Sequence, residues 1–134
     1  MTLTYNTDVK NTRMDAVDDA INNGGGISGP PAPGKLEIGT TGMATILATI
    51  TLDEPAFGDS VAGVITLAGF PKTDSSADNT GVAAEARIRD SADTDVVSGL
   101  TVGLGGTDVI VSDVDISEFQ AVTINSGTLT HGQA

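Results

Sequence analysis

Residues 44 to 52 read ATILATITL and residues 82 to 90 read VAAEARIRD. In the first stretch Ala44, Ile46, Ala48, Ile50 and Leu52 share one side of an extended chain. Thr45, Thr49 and Thr51 share the other, with Leu47 as the exception. In the second, Val82, Ala84, Ala86 and Ile88 alternate with Glu85, Arg87 and Arg89. A period of two sets one row of side chains against a core and the other in water, so both stretches read as strands with one wet face. Apolar runs bounded by turn residues extend the reading to Lys35–Ile38, Ala44–Leu52, Ala62–Ala68, Val82–Asp90, Asp95–Val102, Thr107–Val111 and Ala121–Thr130, the last interrupted near Asn125-Ser126-Gly127. Short strands at this spacing predict an all-β fold, an antiparallel β-sandwich or a jelly-roll-like barrel.

The period changes only near the start. In TDVKNTRMDAVDDAIN, residues 7–22, the positions Val9, Arg13, Ala16, Val17, Ala20 and Ile21 recur at helical spacing. Thr7 or Asp8 is placed to cap this helix, and Asn22-Asn23-Gly24 to stop it. The stripe is narrow and partly Ala, so the helix needs support from a sheet or from a neighbouring subunit. NGGGISGPPAPG then strings together a glycine run, Gly-Pro, Pro-Pro and Pro-Gly, all signals against regular structure. The expected organisation is a helical arm over residues 1–22, a Gly/Pro linker over 23–34 and a β-sandwich body over 35–134.

Composition supports the strand reading. The chain of 134 residues has 17 Gly, three Phe, one Tyr and no Trp, so one core must be built from Val, Ile, Leu and Ala at high density. The 18 acidic and 6 basic residues give a net charge of −12, spread along the chain. Such a surface repels phosphate backbones, which excludes nucleic acid as an expected partner. With no Cys there are no disulfides, thiolate nucleophiles or zinc-thiolate sites. The start, MTLTYNTDVK, lacks the pattern of a secretion signal, and MATILATITL at 43–52 is about half the length that spans a bilayer, so neither export nor a membrane partner is expected.

The acids are the obvious candidates for chemistry. Asp90, Asp93 and Asp95 cluster in one loop and Asp113 and Asp115 in another, and carboxylates two apart can hold calcium. The mid-loop Gly and terminal Glu of an EF-hand loop are missing, so turn formation and solvation are the expected roles, with no metal. Paired carboxylates could also serve sugar hydrolysis, but four aromatics in the whole chain leave little for a sugar platform. His131, the one histidine, lies four residues from the end, which disfavours a triad or a multi-His metal site. Gly103, Gly105 and Gly106 fit neither dinucleotide nor P-loop spacing and read as a turn between strands. No catalytic residue and no cofactor is expected.

The stretches LEIGTTGMATILATITLDEPAFG, GFPKTDSSADNTGVAAEARIRDSADTDVVSGLTVGLGGTDV and AVTINSGTLTHG, with the opening LTYNTDVKNTRMDAVDDAI, resemble a family of small virion structural proteins encoded in the head gene regions of tailed bacteriophages. The resemblance covers nearly the whole chain. It implies a non-enzymatic decoration or cement protein made in the host cytoplasm and placed on the outer surface of the head. Its partners would be the major capsid protein and further copies of itself, as a dimer or trimer. The alternative is a tail or fibre module that binds a host glycan or another tail protein. Large apolar side chains in or beside irregular segments are the expected anchors of an assembly interface: Val17 and Ile21 on the arm, and Phe57 and Phe70 in loops. Phe57, in DEPAFGDS, is either an exposed aromatic or a plug into the core.

Overall fold

The computed structural model describes residues 6–22, 33–53, 57–58 and 61–130. One helix, α1 (Thr7–Asn22), precedes β1 (Lys35–Gly39), a 3-10 turn (Thr41–Met43), β2 (Ile46–Thr51), β3 (Val64–Thr66) and β4 (Lys72–Asp74). Then follow β5 (Gly81–Val82), β6 (Glu85–Arg89), β7 (Asp95–Gly103), β8 (Val109–Val111), β9 (Asp115–Ile116) and β10 (Val122–Thr130). Most strands join one curled sheet in the order β2-β1-β6-β7-β8-β10-β3, with β4 also on β10, while β5 and β9 pair as a separate ribbon. The all-β, barrel-like expectation therefore holds.

The sheet is antiparallel except at β7 and β8, which run parallel through Val102↔Val109 and Gly103↔Ile110. A parallel return normally needs a long crossover. Here it is made by the few residues around Leu104, and its ends are locked by side chains. Asp108 Oδ2 accepts from the Thr101 amide at 3.1 Å, and Thr101 Oγ1 accepts from the Asp108 amide at 3.0 Å. The sheet curls where its ladders slip. Between β6 and β7 the register shifts around Arg87, and Gly99 supplies the left-handed backbone, φ 73°, that such a bulge favours.

Several predicted strands are shorter or divided. The fourth is split at Ala83 and Ala84, so Val82 is 56 % exposed rather than facing in. Leu47, the exception on the wet face of the second, is fully buried, because the separate ribbon covers that face and Leu47 lies beneath Gly81. Neither β4 nor β9 was expected, since KTD and DI are too short and too polar to show a period.

The helix starts one residue earlier than its predicted caps, with Asn6 Oδ1 accepting from the Val9 amide at 2.9 Å. It docks on β3 and β7, so the support its weak stripe requires comes from the chain's own sheet. Val17 and Ile21 of the expected stripe do dock, joined by Met14, which the stripe left out, while Val9, Arg13 and Ala16 are exposed; Met14 and Ile21 bring the larger apolar groups to the sheet. Asn11 Oδ1 adds a bond from the Gly63 amide at 2.8 Å. The chain enters β1 through Gly34, where an added Cβ would stand 2.5 Å from Ile21 Cγ2 and 2.6 Å from the Arg89 carbonyl oxygen. Most of the predicted linker, residues 23–32, lies outside the described residues.

Ile21 is fully buried, so Ile21→Ala should cost about 2–5 kcal/mol and lower the urea midpoint accordingly. Gly34→Ala should also destabilise, by about 1–3 kcal/mol, because backbone stands on one side of the added methyl.

Candidate assembly surface

The four side chains expected to anchor an interface do not come together on the surface. Ile21 is fully buried and Phe57 is 2 % exposed. Phe57 is the plug rather than the exposed aromatic: it bridges to Leu67 and lines the middle of the core with Leu100, Val109 and Leu129. In a chain with so few large side chains the core takes them first. Val17 and Phe70 are partly buried and pack against the same core. Lys72 also sits over the Phe70 ring, with Nζ 5.9 Å from the centroid.

The aspartates have structural occupations that can be named. Asp90 is the one buried charged residue among the described residues, 2 % exposed, and its Oδ1 accepts from the amides of Ala92 at 2.9 Å and Thr94 at 3.0 Å. That carboxylate holds the tight turn in which Asp93 adopts φ 61°. Asp113 Oδ1 accepts from the Asp115 amide at 2.9 Å, and Asp74 Oδ1 from the Ser76 amide at 3.1 Å. Among the described residues, no group of three or more His, Cys, Asp or Glu is placed to hold a metal ion. Nor is any described helix long and apolar enough to cross a membrane.

Charge is organised on the outer face of β1, β6 and β7. Glu37 stands directly opposite Arg87 across the β1–β6 ladder and accepts from its Nε at 2.6 Å. Arg89 Nε is 2.6 Å from Asp95 across the β6–β7 ladder and 3.8 Å from Glu37, and Lys35 Nζ is 2.7 Å from Asp93. Three cations and three carboxylates thus cancel in one patch. The hydrogen bond from Arg89 holds the Asp95 carboxyl below its ordinary value, and that from Lys35 does the same to Asp93. The bond to Asp95 in turn raises the Arg89 guanidinium.

Between β2 and β4 lies an open groove of about 440 Å³ lined by Thr49, Ile50, Thr51, Lys72, Thr73, Asp74 and Ser75. Side chains bridge its walls: Asp74 Oδ2 accepts from the Thr49 amide at 3.0 Å, and Lys72 donates to the Thr51 carbonyl at 3.2 Å and to Asp53. The exposed large apolar side chains sit at projecting points instead: Val9 on α1, Val61 and Leu104 in turns, Val82 on β5 and Phe119 after β9. Sequence reasoning missed Phe119, which at 75 % is the most exposed of them. Its signal was an aromatic between polar residues in SEFQ, outside any alternating run. The chain matches no family model, no curated protein and no solved structure.

Two substitutions separate the roles of these acids. Asp90→Ala takes the acceptor from two part-buried turn amides and should cost about 1–3 kcal/mol, whereas Asp90→Asn keeps an acceptor oxygen and should cost less; urea unfolding measures both. For Asp95 the folded value lies below 3.8, so its stabilisation is present above that pH and is lost as pH falls through the depressed value. Wild type and Asp95→Asn should therefore differ in urea midpoint at neutral pH and converge in acid.

Proposed function

We propose that this chain is a non-enzymatic structural protein of a tailed-bacteriophage virion, a decoration or cement protein on the outer face of the head lattice with the major capsid protein as its partner. The observation that carries this reading is how the acids are employed. Asp74, Asp90, Asp108 and Asp113 accept backbone amides, while Glu37, Asp53, Asp93 and Asp95 hold the chain's own cations. A carboxylate committed to a turn or a guanidinium is poorly placed to act as an acid, base or metal ligand. What faces outward is a small acidic β body with apolar side chains at its projecting points. Its acidity suits a place outside the shell, away from the packaged genome. A protein that binds only the assembled lattice stabilises that lattice by mass action.

The groove between β2 and β4 supports a second reading, a tail or fibre module for a host glycan. Its Thr, Ser, Lys and Asp side chains could bond sugar hydroxyls, but no aromatic ring lines it as a stacking platform.

Stoichiometry separates the two. Stained gels of purified particles should show this protein in numbers comparable with the major shell protein. Scarcity, at the level of tail components, would favour the second reading and reject the first.

A further inference from the structure

The ribbon of β5 and β9 and the turn after it form a knuckle, residues 77–82 and 113–120, that stands apart from the main sheet's ladder. Its tip is built firmly. The Phe119 amide donates to the Ala77 carbonyl at 2.9 Å, the Glu118 amide to Thr80 Oγ1 at 2.9 Å, and the Gln120 amide to the Ser117 carbonyl at 3.0 Å. Gln120 returns the favour, its Oε1 accepting from the Ser117 amide at 3.0 Å. Beneath the tip, Ala77 and Ile116 are buried and anchor the knuckle to the core. Leu104, by contrast, projects from a turn in which added side chains at Gly105 and Gly106 would meet nothing.

Phe119 gains little from the fold that holds it. The residue is 75 % exposed, and its backbone adopts φ 72°, a region that Asn or Gly occupies more readily than an aromatic residue. A large apolar group kept exposed in a disfavoured backbone conformation, on a rigid support, points to use outside the chain. Val82, 56 % exposed and paired with Asp115, adds a second apolar group on the same ribbon. Around them stand Asp78, Asp113, Asp115 and Glu118, with no Lys, Arg or His in either segment.

We propose that this knuckle is the docking surface, with Phe119 inserting into an apolar pocket ringed by Lys and Arg on a different protein. Charge argues against a second copy as the occupant. Of the chain's 6 basic residues, Lys35, Lys72, Arg87 and Arg89 are already held by its own acids. The other two lie on α1 among Asp8 and Asp15, so a second copy offers no basic rim. A central aromatic within a charged rim is the usual anatomy of an interface hot spot.

The inference rests on the assembly reading above, and head particles stripped of this protein are the probe. Phe119→Asn suits the left-handed backbone, so its thermal midpoint should equal or exceed that of wild type, while its binding to stripped heads weakens roughly tenfold or more. Val82→Thr keeps the strand-favouring shape and should weaken binding less; it also serves should the first variant misfold. Raising salt from 0.1 M to 1 M, which shortens the Debye length from about 10 Å to about 3 Å, should weaken wild-type binding in part. Binding by both variants equal to that of wild type overturns the knuckle but leaves the assembly reading standing. Wild-type protein that fails to bind the heads overturns both. A fall in oligomeric mass on Phe119→Asn, measured by sedimentation, makes a second copy the occupant and overturns the proposed partner.

Discussion

The fold depends on closing a curled sheet whose last edges cannot pair by backbone alone. β2 ends one side of the sheet and β4 lies on the other, and the gap is spanned mostly by side chains. Asp74 takes the Thr49 amide, Lys72 gives to the Thr51 carbonyl, and Asn79 Nδ2 gives to the Ile46 carbonyl at 2.9 Å. One backbone bond joins them, from the Asp78 amide to the Leu47 carbonyl at 2.8 Å. An open edge invites pairing with other chains, and this seam occupies it with groups that no incoming strand can match. The same residues that bridge the open side of the curled sheet thus cover its β2 edge. The segment that supplies the closing groups, residues 72–79, leads directly into the knuckle that carries Phe119.

The core could be read from alternation, and the special positions could not. Leu36, Ile38, Ile50, Ile65 and Ile88 lie buried on rows that a period of two identifies. The same period misplaced Leu47 and Val82, because the small β5–β9 ribbon covers one face and leaves another open. Strands of two or three residues contain no period to detect, and they are made by pairing rather than by propensity. The helix was legible as a helix and its buried face in part: Val17 and Ile21 of the expected stripe do dock, whereas Met14 was missed and Val9 stays exposed, since those two compete and only the sheet decides between them.

Candidate sites were less legible than the fold. That the Asp clusters form turns was a sound expectation, and Asp90 and Asp113 do accept amides from the residues that follow them. Large apolar residues in irregular segments were expected to be anchors, but Ile21 and Phe57 belong to the core. Scarcity explains the error: with three Phe in 134 residues, a loop aromatic near a sheet is more useful as filling than as display. Phe119 is displayed because the hydrogen bonds of its turn fix the backbone in a conformation that turns the ring outward. No local sequence pattern records that.

Acidity and rigidity together suit the assembly role proposed for this chain: in that proposal a net charge of −12 sets the protein away from the genome, and the apolar tip at Phe119 engages a basic-rimmed pocket on the shell. A cryo-electron microscopy reconstruction of the particle tests this most directly. The account predicts the β body at repeated lattice positions on the outside of the head, with residues 113–120 facing the shell. Density for it only in the tail, or on the inner wall beside the genome, would contradict the account.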